Sequence, residues 1–199
     1  MRKIQKFLFS IIIIPVQTPS DFLHLTYSDI KPNTIKIKKE IMIDVNHSAS
    51  PLFYQFETPK KISQIEVLGE VEIIKNLESE QKDSYFQLGL IYKGEYRPHF
   101  FVQKFLPQWL NTVLNINEKF GVSEIAFYHI HKEKGFVAKE DHIRKIKLSF
   151  IKAKQLTKEN TFSLTIKPQA KKILGLWLRA DGDDHNGVFK TKIKKLSFK

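Results

Sequence analysis

Residues 34–45 read TIKIKKEIMIDV, and every isoleucine and valine among them stands at an odd position: Ile35, Ile37, Ile41, Ile43 and Val45. Lys36, Lys38, Glu40 and Asp44 stand at even positions between them. Successive side chains of an extended strand point to opposite faces, so this period of two makes one dry face and one wet face. A helix would scatter the same residues around its circumference. The stretch therefore decides for β structure.

The same period recurs along the chain. In residues 62–74, ISQIEVLGEVEII, Ile65, Val67, Val71 and Ile73 share a face through Gly69, opposed by Glu66, Glu70 and Glu72. Gly69 inside such a run predicts a bulge or the close approach of another backbone. Phe86, Leu88 and Leu90 alternate with Gln87 and Gly89, while residues 124–131, EIAFYHIH, alternate with large residues on both faces. Further runs place Ile146, Leu148 and Phe150, then Phe162, Leu164 and Ile166, then Leu174, Leu176 and Leu178 in register. The last stretch, VFKTKIKKLSF, changes register between Ile193 and Leu196, which a bulge near Lys194 and Lys195 reconciles. About eight such strands separated by turn residues predict an all-β fold, an antiparallel β-sandwich of jelly-roll type.

One stretch has helical spacing. Phe101, Val102, Phe105, Leu106, Trp109, Leu110, Val113 and Leu114 recur every three or four residues. Pro107 would break a continuous helix, so a short helical insertion around residues 101–115 is expected as a turn followed by a helix that starts near the proline.

Ahead of the strands, Arg2, Lys3 and Lys6 precede an apolar run at residues 7–16, FLFSIIIIPV. That is the layout of a secretory signal, and the run is too short to span a bilayer. Residues 1–20 are accordingly expected to act as a signal peptide or an uncleaved N-terminal anchor. Residues 34–199 are expected to form a single β-sandwich domain, periplasmic or extracellular. The absence of cysteine excludes disulfides and thiol catalysis. The net charge of +12, of which the first 20 residues supply three cations and no acid, attracts anionic partners. The lysines are spread along the chain without any nucleic-acid-binding motif, so nucleic acid is not an expected partner. The membrane is expected to be met only through the N-terminal segment.

The strand pattern and the closing strand resemble the galactose-binding-like jelly rolls, which include many carbohydrate-binding modules. NHSASPLFYQFETPK at residues 46–60, ahead of the sheet, and LWLRADGDDHNG at residues 176–187 are also similar to exported bacterial proteins of unknown function. The resemblance implies aromatic platforms that hold a sugar ligand.

Four groups of residues are candidates for chemistry. Asp181, Asp183 and Asp184 in DGDDHNG offer hard oxygen ligands, for which calcium is the candidate ion, although the spacing departs from an EF-hand and also suits a tight turn. His129 and His131, two apart on a strand, share a face and form a pair able to chelate a transition metal or to bind ligand. Tyr92, Tyr96, Arg97 and His99 combine rings that stack on sugars with a cation that clamps carboxylates. Trp177 points away from Leu176 and Leu178, either as a ligand platform or as cover for a sheet. No serine-hydrolase, zinc-protease or nucleotide-binding motif is present, and no residue is assigned a catalytic role. The expected function is exported, non-catalytic binding of carbohydrate or of an anionic envelope surface. The alternatives are a lyase or other enzyme on acidic polysaccharide, built on Tyr96, Arg97, His99, His129 and His131, and a structural envelope protein that binds other proteins. Convergence of those residues in one cleft favours the enzyme; a shallow groove with exposed aromatics favours the binding module, and a flat surface with neither leaves the structural protein.

Overall fold

The structure is a computed structural model that describes residues 21–132 and 136–199, together with the backbone of residues 12–13. The expected signal or anchor at residues 1–20 thus lies outside the described residues, apart from Ile12–Ile13. In chain order the elements are β1 (Ile12–Ile13), β2 (Phe22–His24), β3 (Thr34–Ile37), β4 (Ile41–Asn46), β5 (Leu52–Lys60), β6 (Ile65–Lys75) and β7 (Ser84–Tyr96). Two helices follow, α1 (Phe100–Gln103) and α2 (Gln108–Ile116). The chain then continues through β8 (Val122–His131), β9 (Lys139–Ile143), β10 (Ile146–Gln155), β11 (Thr161–Ile166), β12 (Ile173–Asp181) and β13 (Val188–Phe198).

These strands form two sheets packed as a sandwich. The smaller has the order β11-β6-β13-β4-β3, with β1 paired to the end of β13; the larger has seven strands in the order β2-β5-β12-β7-β8-β10-β9. Pairing is antiparallel except between β8 and β10, which run parallel because β9 intervenes and pairs antiparallel with β10.

All eight period-two stretches are strands. In residues 34–45 the chain reverses at Lys38–Glu40, so that Ile37 pairs with Ile41 and both arms keep their odd-numbered residues on one face. Ile41, Ile43 and Val45 are fully buried there. Gly69 is needed for close approach: a Cβ at this position would stand 2.4 Å from the Phe162 ring and 2.5 Å from the Lys192 carbonyl oxygen. The register of β13 shifts between Ile193 and Lys195, where the sequence predicts a bulge. Glu66, Glu70 and Glu72 form the wet face of β6 and pair with Lys195, with Lys192 and Lys194, and with Lys190.

The stretch at residues 46–60 corrects the sequence reading. It is not a lead-in to the sheet but contains β5, which pairs with β2 on one side and β12 on the other. Its alternation is hidden because both faces are covered: Phe56 joins the core between the sheets and Phe53 joins the layer outside it.

The main core lies between the sheets. Leu88, Leu90, Leu176 and Leu178 of the larger sheet meet Ile41, Ile65, Val67 and Ile193 of the smaller one. Each such side chain contributes roughly 1.5–3 kcal/mol when fully removed from water. A second core lies on the outer face of the larger sheet, where Leu110, Val113 and Leu114 of α2 cover Ile91, Ile125 and Leu148. Pro107 is the N-cap of α2, where its missing N–H is no loss. Helix α1, by contrast, buries none of its residues.

Candidate functional site

The outer face of the larger sheet is built in rows that run across the strands. One row is Gly175, Ile91, Ile125 and Leu148, from β12, β7, β8 and β10. Its three apolar side chains lie beneath α2. The next row is Trp177, Gly89, Phe127 and Phe150. The one after that carries Arg179, Gln87 and His129. Helix α2 stops short of these two rows and leaves them as the floor of a groove.

Gly89 shapes that floor. A Cβ there would stand 2.9 Å from Trp177 Cβ and 3.0 Å from the Phe127 ring, so only glycine lets these two rings lean together over β7. Phe127 stacks on Phe150 at 5.3 Å. Trp109, from the first turn of α2, meets Phe127 edge-on at 6.3 Å and Trp177 at 6.0 Å, and with Gln108 makes one wall. Tyr27, Asp29 and Ile30 make the opposite wall, and the enclosed volume is about 420 Å³. That is the size of a small-ligand pocket.

The second wall is fixed from behind by Asn33. Its side-chain amide donates to the carbonyls of Ser50 and Ala180, and its side-chain oxygen accepts from the Ser48 hydroxyl at 2.7 Å. Residues 21–33 are thereby tied to the sheet and hold Tyr27 over Arg179.

The polar groups at the end of the groove are strongly perturbed. Arg179 is paired with Asp181, which is 2 % exposed. Burial raises the Asp181 carboxyl well above the usual range; Arg179 opposes this, and the neighbouring Asp183 and Asp83 reinforce it. Burial also pushes the Tyr27 hydroxyl up to about 12. His129 accepts a hydrogen bond from the Gln87 amide at 2.7 Å and stacks on Phe136 at 4.1 Å. Burial, with Arg179, His131 and Lys139 adding to it, lowers its pKa to about 3, so the ring is neutral at physiological pH. Buried donors without an acceptor among the described residues include Trp177 Nε1, Arg179 Nε and His129 Nδ1, which carries the proton because Nε2 accepts from Gln87. Trp177 and Arg179 line the groove.

The sequence-derived candidates divide between this groove and other places. Trp177 forms the groove floor, and His129 lies in the adjoining row with His131 buried farther along the same face. Tyr92 is fully buried in the core between the sheets, its hydroxyl raised by burial and paired with that of Tyr128. Tyr96 packs at the edge of the layer under α2. Arg97 is exposed and donates to the Lys119 carbonyl, and His99 caps the start of α1 and stacks on Phe101. Tyr96 stands nine residues along β7 from Gln87, roughly 30 Å at ~3.3 Å per residue, so the two groups do not share a cleft.

The acidic loop forms its own cluster. Carboxylate oxygens of Asp183 and Asp184 lie within 4.8 Å of each other and of Asp83, a residue that the sequence does not single out. Asp83 is buried and accepts the backbone N–H of His185 at 2.7 Å and that of Asp184 at 3.4 Å. Asp181, expected among the metal ligands, is not one of the three; it hydrogen-bonds to one of them, Asp183, and pairs with Arg179. The residues fit a hard cation in donor type, with the backbone N–H bonds also accounting for the loop as a turn.

Phe127, Phe150, Gly89, Gln87, Trp109 and Tyr27 were not singled out by sequence. The available signal was the run EIAFYHIH, whose second large-residue face shows that something besides the inner core covers β8.

No family model matches the chain, and no curated protein matches it. Among solved structures it is similar to the xyloglucanase domain of NopAA, a type three effector from Sinorhizobium fredii, in complex with cellobiose. The TM-score is 0.44 at 7 % identity, over 92 % of this chain and all of that one.

Proposed function

We propose that the protein is a non-catalytic binding module whose groove takes a carbohydrate. The observation that carries this reading is the aromatic lining of Trp109 and Phe150, both half-buried, over a floor of Trp177 and Phe127 that is nearly closed to water, edged by the polar groups of Gln87, Gln108, Tyr27, Asp29 and Arg179. Sugar rings have apolar C–H faces and a hydroxyl-bearing rim. Aromatic faces take the former, and a small number of fixed donors and acceptors take the latter. The galactose-binding-like jelly roll is the finer fold reading that accompanies this function. Action outside the cytoplasm is proposed with it, on the basic and apolar layout of residues 1–16. A lyase built on Tyr96, Arg97 and His99 together with the two histidines has no shared cleft to support it.

Both tryptophans of the chain line the groove, so intrinsic emission reports its occupation directly. Titration with neutral and acidic oligosaccharides is expected to give a saturable change in emission with at least one class, weakened at least tenfold in Trp109→Ala. No saturable change with any glycan, or one that Trp109→Ala leaves intact, would refute the reading.

A further inference from the structure

Helix α1 and the turn after it expose three phenylalanines: Phe100 at 59 %, Phe101 at 64 % and Phe105 at 80 %. Phe100 and Phe101 are in edge contact at 5.3 Å, and Lys104 Nζ lies 4.7 Å from the centre of the first ring and 6.0 Å from that of the second. With about 150–250 Å² per ring, the three together present about 400 Å² of aromatic surface to water. Contiguous apolar patches of more than a few hundred Å² mark interaction sites. The internal core does not use them, since α1 buries none of its residues, while Leu106 and Leu110 just beyond hold the segment on the sheet.

We infer that this segment docks on an anionic lipid surface, with Phe100, Phe101 and Phe105 entering the headgroup region and Lys104 and Arg97 meeting lipid phosphates. Three features select this occupant. Phenylalanine carries no polar handle, so the patch asks for an apolar environment rather than a hydrated sugar. Residues 97–117 contain no Asp or Glu, while Arg97, His99 and Lys104 are all exposed there. The chain as a whole carries +12, which draws it towards anionic surfaces before any ring inserts. A bilayer places an apolar layer directly beneath an anionic one, which matches rings projecting beyond a cationic collar. Among the described residues no helix is long and apolar enough to cross a membrane, so the contact proposed is interfacial. Trp109 links the two surfaces: it follows Phe105 by four residues and forms a wall of the groove, so docking would hold the groove mouth near the membrane plane.

The test uses the full chain, so that any contribution of residues 7–16 is the same in every variant. Cosedimentation with vesicles of phosphatidylcholine containing about a third phosphatidylglycerol is expected to capture the wild type strongly, and pure phosphatidylcholine vesicles weakly. Phe101→Ser combined with Phe105→Ser should weaken capture by the anionic vesicles at least tenfold with the melting temperature unchanged. Phe105→Trp should add an emission component that shifts to the blue on vesicle addition and is quenched by brominated lipid. Equal capture of the wild type and the double variant, or an added tryptophan that stays exposed, would overturn the inference. So would a concentration-dependent dimer in sedimentation velocity that the double variant abolishes, because the patch would then belong to a second copy of the chain. Glycan titration of the same double variant keeps the groove reading separate, since the variant should retain whatever sugar binding the wild type shows.

Discussion

The two faces of the seven-stranded sheet are made from the same strands and solve opposite problems. On the inner face, Phe86, Leu88 and Leu90 of β7 and Leu176 and Leu178 of β12 are uniformly apolar and meet a second sheet along their length. On the outer face, the intervening residues change character along the strand, from Ile91 under α2, through Gly89, to Gln87 in the open groove. Strand β12 changes likewise, from Gly175 through Trp177 to Arg179. A face that only has to exclude water is filled evenly. The outer face is graded instead, with a capped end, an aromatic middle and a polar end, which is what the proposed ligand-binding role asks of it.

The first way to break this contrast is a cut in the inner face. Leu178 is fully buried, and Leu178→Ala is expected to cost about 2–5 kcal/mol through lost transfer energy and the cavity left behind. Urea denaturation should show a lower midpoint, while tryptophan emission of the folded protein stays that of the wild type. A cost below 1 kcal/mol would mean that the inner face is not the more demanding of the two.

Acid probes the polar end of the outer face. The His129 pKa falls from 6.5 in the unfolded chain to about 3 in the fold. The folded state therefore binds fewer protons between those values. Stability from this group is complete above about pH 6.5 and is lost as pH falls towards 3. At pH 4.5 the loss is about 2–3 kcal/mol at ~1.4 kcal/mol per pH unit. Asp83 and Asp181, whose pKa values are raised, act in the opposite sense, since each is destabilising as pH rises above its unfolded value. Comparison with His129→Gln isolates the imidazole: the stability of the wild type relative to this variant should drop by about 2–3 kcal/mol between pH 7 and pH 4.5. A pH-independent difference would show that His129 takes up its proton without cost.

Gly89→Ala tests the middle of the groove. The added methyl would press on Trp177 and Phe127 at 2.9 and 3.0 Å. Overpacking of this kind costs about 1–3 kcal/mol. Unlike the Leu178 variant, it should also shift tryptophan emission, because the rings must part. Loss of stability without a spectral change would place the strain in the backbone instead.

The fold was legible where one side of a strand is wet. β4, β6, β11 and β13 alternate because polar residues such as Asp44, Glu66, Thr165 and Lys192 must face water while Ile41, Val67, Leu164 and Ile193 must not. The site was hardly legible, for the converse reason. β5, β7, β8 and β12 are covered on both sides, so alternation fades, and Phe53 and Phe127 look like further core. The groove is also assembled across strands: Trp177, Gly89, Phe127 and Phe150 come from four strands, and their alignment depends on the parallel pairing of β8 with β10, which no local pattern encodes. Trp177 stands out from its position opposite Leu176 and Leu178, whereas Tyr27 comes from residues 21–33, which carry no alternation and are held by the pairing of β2 with β5 and by the Asn33 network.

The smallest change in stability should carry the finest information about the graded face. Trp109 is half-buried, and its edge contacts at 6.0 and 6.3 Å are made by a ring that phenylalanine largely reproduces. Trp109→Phe should therefore cost about 0.5–1.5 kcal/mol, as partial truncation of an apolar side chain does. It removes one indole N–H and about a third of the aromatic surface of that wall. If the wall serves only to cap α2 against the sheet, ligand affinity should follow stability and hardly move. If it is a stacking surface, affinity should fall several-fold while the urea midpoint stays near that of the wild type. Divergence of the two readouts is the expected result, because Leu110, Val113 and Leu114 already fasten the helix and leave Trp109 free to face the groove.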